Sequence, residues 1–196
     1  MAEHWIHMSA PTAKEVAAQF ELAPEAKALL NTQTPPQFLA ALLDYGHDLD
    51  ALRFLAYAMP KRHAVYWAWL CVKEMKPKEA PPPEKAPQVA QALDAAHKWV
   101  LDPSEANRRA AETAYTALGL EHPAAVVAVS AFWAEGSLSP AGNPVVPPPA
   151  HLCAHGASSA IMLAAAKGDP TKIKDAYAQA IAQGIGVAAG KLSWSK

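Results

Sequence analysis

The chain has 196 residues, with 17 lysines and arginines against 18 aspartates and glutamates and a formal net charge of −1. That balance gives no basis for a nucleic-acid-binding face or for attraction to an anionic membrane. A hydrophobic content of 52% excludes a disordered chain. A total of 45 residues are alanine and only 16 are valine or isoleucine, which favours helix over strand, because alanine is the best helix former and β-branched side chains suit strands.

Helix punctuation recurs along the chain. Thr12 with Glu15 reads as a capping box, followed by Val16, Phe20 and Leu22. Pro24 opens a short helix to Leu30. Thr34-Pro35-Pro36-Gln37 is a second box with proline in the first turn. Phe38, Leu39, Leu42 and Leu43 follow at helical spacing, and Gly46 ends the run. Asp48 is expected to cap the next helix, which Pro60 breaks. Lys61–Met75 is apolar almost all round, the mark of a centrally buried helix. Residues 76–88 read as an exposed, extended, proline-rich linker. Helix resumes at Val89–Leu101 and restarts after Asp102-Pro103-Ser104, ending at Gly119. A further helix starts at His122-Pro123 and runs to Gly136. Residues 135–149 form an irregular Pro/Gly-rich loop, of the length and composition that serve function or docking. A long helix to Lys167 and a last one from Asp169-Pro170-Thr171 towards Gly184 complete the pattern. The expectation is an all-α fold: a single domain over 1–196, about eight helices in irregular antiparallel hairpins around the 61–75 helix.

Two cysteines, Cys71 and Cys153, without a CxxC, give no disulfide framework and suit a reducing compartment. Met1–Lys14 lacks a basic patch followed by an apolar run, so a secretory signal is not expected. The apolar run Ala150–Ala166 is shorter than the roughly 20 residues that span a bilayer. A cytoplasmic protein without a membrane span is expected.

The chemistry-bearing residues are few. His151 and His155 lie four apart, on one helical face, and form a candidate metal pair. Cys153 lies about 200° round from His151, so it cannot join them, and a third ligand would come from His122, Glu135 or His97. Cys71 lies in the most apolar helix, no serine has a Gly-x-Ser-x-Gly context, and Gly184-Ile-Gly186 follows no strand. No catalytic set and no cofactor are expected. Arg53 and Arg62 are candidates to hold a partner carboxylate, with an internal pairing as the commoner use of such groups. Trp67 and Trp133, and the prolines Pro147, Pro148 and Pro149, are candidates for a groove that seats a partner.

Three strings carry a resemblance: Arg-Phe-Leu-Ala-Tyr-Ala-Met-Pro-Lys-Arg-His-Ala-Val-Tyr-Trp-Ala (53–68), Asp-Pro-Ser-Glu-Ala-Asn-Arg-Arg-Ala-Ala (102–111), and Phe-Trp-Ala-Glu-Gly-Ser-Leu (132–138) with Val-Pro-Pro-Pro (146–149). They resemble a bacterial family of unknown function with LPxRxAVWWA, DPxxxNRRAA and FWxxGSLxP…PPP strings. Met59 and Tyr66 replace the usual leucine and first tryptophan. The resemblance spans Pro35–Gly184, and the matched positions include Arg62, Trp67, Arg108, Trp133, Gly136 and Pro147–Pro149. It implies an accessory role, associated with type VI secretion and effector loading, and assigns no catalytic residue. The expected function is a non-catalytic adaptor or chaperone that binds a protein partner. Two alternatives are an immunity protein against a single toxin and a metal-dependent enzyme using His151 and His155.

Overall fold

The computed structural model describes residues 5–140 and 142–194, and among them the chain forms ten α-helices and no strand. The two short helices α1 (Ala13–Ala17) and α2 (Pro24–Ala28) lead into α3 (Pro35–Asp44) and α4 (Asp48–Ala58). Thr12 Oγ1 accepts the Glu15 amide at 3.3 Å, and Gln37 Oε1 accepts the Thr34 amide at 2.9 Å, so both capping residues act where the spacing placed them. Gly46 follows α3 at φ +75°, a left-handed turn that glycine adopts without strain. Asp48 lies one residue inside α4, with His47 at the cap position. Asp50 is buried instead, and its carboxylate accepts the Ala23 amide at 3.4 Å, tying α4 to the start of α2.

Pro60 separates α4 from α5 (Lys61–Glu74). After the proline-rich strap come α6 (Ala86–Leu101), α7 (Glu105–Leu118), α8 (Pro123–Phe132), α9 (Leu152–Ala166) and α10 (Ile173–Ala188), with 3-10 turns at Pro83–Lys85 and Pro170–Lys172. Helix α6 starts three residues ahead of Val89, because Pro87 falls in its first turn, where the missing N–H costs nothing. Helix α10 passes through Gly184 and Gly186 rather than stopping there. The first of these glycines is required by packing. A Cβ at Gly184 would lie 2.5 Å from Leu55 Cδ2 and 2.8 Å from Trp67 Cε2.

Side-chain reach fixes the directions of the central helices. Arg62, at the start of α5, bonds carbonyls at the end of α6. Arg108, early in α7, bonds the carbonyl of Phe132 at the end of α8. Cys153, at the start of α9, lies against the Lys61 carbonyl. Helices α5 to α9 therefore alternate in direction, and one pole gathers the starts of α5, α7 and α9 with the ends of α6 and α8. Helix α5 is central and packs on α4, α6, α8, α9 and α10. Residues from both sides of the strap, such as Phe38, Trp67, Ala96 and Ile161, belong to one buried cluster.

The alanine content has a geometric use. Ala92, Ala96, Ala124, Ala128, Ala131, Ala157 and Ala160 are all fully buried, so α6, α8 and α9 meet through small side chains. At Gly156 a Cβ would overlap the Ser130 hydroxyl, which donates to the Val126 carbonyl at 2.7 Å. Among the described residues no helix is long and apolar enough to cross a membrane.

Candidate functional site: a polar cap and the loop it holds

Helix ends leave carbonyls without intrahelical partners. At the gathered pole, side chains from the first two strings bond open carbonyls, several of them supplied by the third. From the first string, Lys61 Nζ donates to the Ala134 carbonyl at 2.7 Å, Arg62 Nε to Val100 at 2.6 Å and Arg62 Nη2 to Leu101 at 2.9 Å. From the second, Asn107 Nδ2 donates to the Asp102 carbonyl at 2.8 Å and to its carboxylate at 3.1 Å. Ser104 caps α7 through the Asn107 amide.

Arg108 is the centre of this cap and is fully buried. Its Nε and Nη2 grip the Glu105 carboxylate at 2.5 and 2.7 Å, Nη1 donates to the Phe132 carbonyl at 2.9 Å, and Nη2 also donates to the Ser137 carbonyl at 3.0 Å. Its guanidinium lies 4.7 Å from the centre of the Phe132 ring. A buried arginine is tolerated only when paired and hydrogen-bonded, and here both conditions hold. Arg109 bonds Glu105 and Glu112, each at 2.8 Å, and spans the loop to the Ser137 and Ser139 carbonyls at 3.0 and 2.6 Å. Hydrogen bonds from Arg108, and then from Arg109, hold the Glu105 carboxyl down at about 2.

The third string meets this cluster from the other side. Gly136 has φ +73°, and a Cβ there would lie 2.7 Å from Arg108 Nε. Ser137 Oγ accepts the Ser139 amide at 3.1 Å and the Val146 amide at 3.0 Å, and the Leu138 amide donates to the Val146 carbonyl at 2.8 Å. The loop is thus closed on itself and tied to α7. It carries Val145 at 74% exposure and Val146 at 48%, followed by exposed Pro147, half-buried Pro148 and exposed Pro149.

The residues singled out in the sequence are dispersed. Arg62 is half-buried and paired within the protein, but its partners are helix carbonyls rather than a carboxylate. Its outer face is covered by Trp194, 4.6 Å away. Arg53 is half-buried and lies 6.0 Å from the Phe20 ring. Among the described residues no bond joins the two arginines to a common carboxylate. Trp67, placed on the sequence among partner-contacting residues, is a core residue: it is fully buried, and its indole donates to the Ala180 carbonyl at 2.7 Å. Trp69 stacks on His97 at 4.1 Å, on the α6 side. Trp133 is half-buried at the end of α8, where the loop leaves.

His151 and His155 are both exposed at the start of α9. Partial burial of the His155 ring, then the charges of Arg53 and His151, lower its pKa. His122 Nδ1 accepts the Ala124 amide at 3.2 Å as the cap of α8, His97 is stacked on Trp69, and Glu135 is exposed. Among the described residues no group of three His, Cys, Asp or Glu side chains converges to hold a metal ion. Cys71 and Cys153 are buried thiols, Cys71 pushed far up by burial and Cys153 up to about 12. Both are protonated at neutral pH and are not poised as nucleophiles.

Glu105 and Lys61 carry no emphasis in a reading of catalytic motifs. The signal for Glu105 was its spacing: three residues before Arg108 and four before Arg109, where side chains on one helix meet.

These features define an all-α protein in which Glu105, Arg108 and Arg109 of α7 support the loop that follows α8. Residues 38–188 match the Family of unknown function (DUF6931), and the chain belongs to that family. Searches of curated proteins and of solved structures each find no significant match.

Proposed function

We propose that the protein is a non-catalytic adaptor that presents the 142–149 segment to a protein partner. The observation that carries this reading is the contrast within one loop. Its base is held by the buried Arg108, which is paired with the exposed Glu105, and by Arg109, while the segment beyond exposes Val145, Val146, Pro147 and Pro149. Exposed apolar residues on a pre-organised segment favour association, because little ordering entropy remains to be lost on binding. Proline segments are suited to recognition for the same reason. The resemblance of the three strings supports a partner among type VI secretion effectors or spike components, and with it a cytoplasmic site of action.

The test is affinity capture at native expression level, with cross-linking and mass spectrometry, comparing the wild type with a Val145→Asp/Val146→Asp variant. The reading predicts that a secretion component is recovered by the wild type and lost by the variant, which keeps its helical circular dichroism. Equal recovery by both, or recovery of nothing by a well-expressed wild type, would count against it.

A further inference from the structure

At the pole opposite the cap, the strap from Lys76 to Pro82 crosses the ends of α5 and α9 and the starts of α6 and α8. Beneath it runs a groove in two adjacent parts, of about 270 and 470 Å3, which share Pro77, Pro81, His122 and Lys167 as walls. The floor of the inner part is apolar, formed by Val72, Met75, Val89, Leu93, Pro123 and Ala164. The rim is cationic. Lys73, Lys76, Lys78, Lys85 and Lys167 face Glu79 and Glu121 there, in a chain whose total charge is −1.

The ammonium of Lys73 lies 4.5 Å from the centre of the Trp69 ring. Among the described residues none of the other four forms an ion pair. Helix electrostatics account for Lys73 and Lys167, which stand at helix C-terminal ends, where cations are favoured. They do not account for Lys85, which occupies the N-cap of α6, where a cation is disfavoured. Nor do they account for Lys78, which the strap carries over the groove through a bond from its amide to the Lys167 carbonyl at 2.7 Å. Lys167 and Lys85 act on the same imidazole: after burial, their charges are what lower the pKa of His122. Lys78, Lys85 and Lys167 all line the outer part of the groove.

We propose that this groove binds a small amphipathic anion, an acyl-like apolar body carrying one anionic head. The body lies on the Val72–Leu93 floor under Pro77 and Pro81, and the head lies between Lys85 and Lys167. A molecule filling both parts falls within the roughly 300–1,000 Å3 of small-molecule sites. The inner part is too small for a partner helix, which is about 10–12 Å across. This site is separate from the 142–149 loop, and its failure would leave the adaptor reading untouched.

The test titrates the isotope-labelled full chain with octanoate, 1-octanol and inorganic phosphate, following backbone amide shifts. Octanoate is expected to give saturable shifts at Val89, Leu93, His122 and Ala164. The other two probes should bind at least about tenfold more weakly, and the exposed double substitution Lys85→Gln/Lys167→Gln should weaken octanoate by about tenfold while leaving octanol unchanged. Octanol binding as tightly as octanoate would reduce the groove to an apolar crevice. Phosphate binding as tightly would reduce it to a cation cluster. Either result overturns the proposal, as does an absence of saturable shifts or an unaltered double variant.

Discussion

Arg108 and Gly136 depend on each other. The guanidinium fills the space that a side chain at Gly136 would need, and the glycine adopts a φ of +73° that other residues reach only with strain. Gly136→Ala is therefore expected to cost about 2–4 kcal/mol, from backbone strain plus displacement of a buried charged group. Gly142→Ala is the control: it has φ +87° but nothing within 4 Å of the added carbon, so only the strain of about 1 kcal/mol applies. Equal losses for the two in urea unfolding would refute the coupling. Glu105 makes a pH prediction. Its folded pKa of about 2 lies below the ordinary 4.5, so its stabilisation is complete above about pH 4.5 and is lost as the pH falls towards 2. Glu105→Gln should remove that part of the acid sensitivity, seen as a flatter dependence of unfolding free energy between pH 5 and about 2.5. At this scale the sequence was only partly legible. Arg108 and Arg109 lie in the second matched string, but their partners at the end of α8 and in the 137–139 backbone lie more than 20 residues away in the chain.

Helices were the most legible level, because their signals are local. Capping at Thr12, Thr34, Ser104 and Asp169, and left-handed glycines at 46 and 119, mark boundaries within one turn. The misreading of Gly184 has a physical cause. Glycine ends a helix when its conformation is needed, yet here it lies mid-helix because α10 approaches α5 closely over the Trp67 indole. Gly184→Ala should then destabilise, although alanine is the better helix former by about 1 kcal/mol. A net loss of roughly 1–3 kcal/mol is expected from overpacking against Leu55 and Trp67. A stabilised variant in thermal unfolding would show that α10 has room to shift. Trp67 itself illustrates the same limit: its place on an all-apolar helix was readable, but which neighbour it faced was not.

Across the whole molecule, the alternation of α5 to α9 brings three strings that are distant in sequence to one pole. There Lys61, Arg62, Asn107, Arg108 and Arg109 bond carbonyls that helix ends and a loop leave open. The all-α class and the central position of residues 61–74 follow from composition and periodicity. The cap does not, because it is made of contacts between ends, and no periodicity encodes which ends meet. The strap at 76–82 is likewise legible as exposed and proline-rich, but not as the roof of a groove. The measurement that tests the central claim most directly is partner capture by Arg109→Gln beside the wild type, with amide exchange at Leu138 and Val146 read on the same samples. Arg109 bonds the loop at Ser137 and Ser139 from a partly exposed position, so its loss should leave the melting temperature nearly unchanged. The account predicts faster exchange at both amides and a capture reduced by about tenfold, as pre-organisation is lost. Undiminished capture with a loosened loop would contradict it.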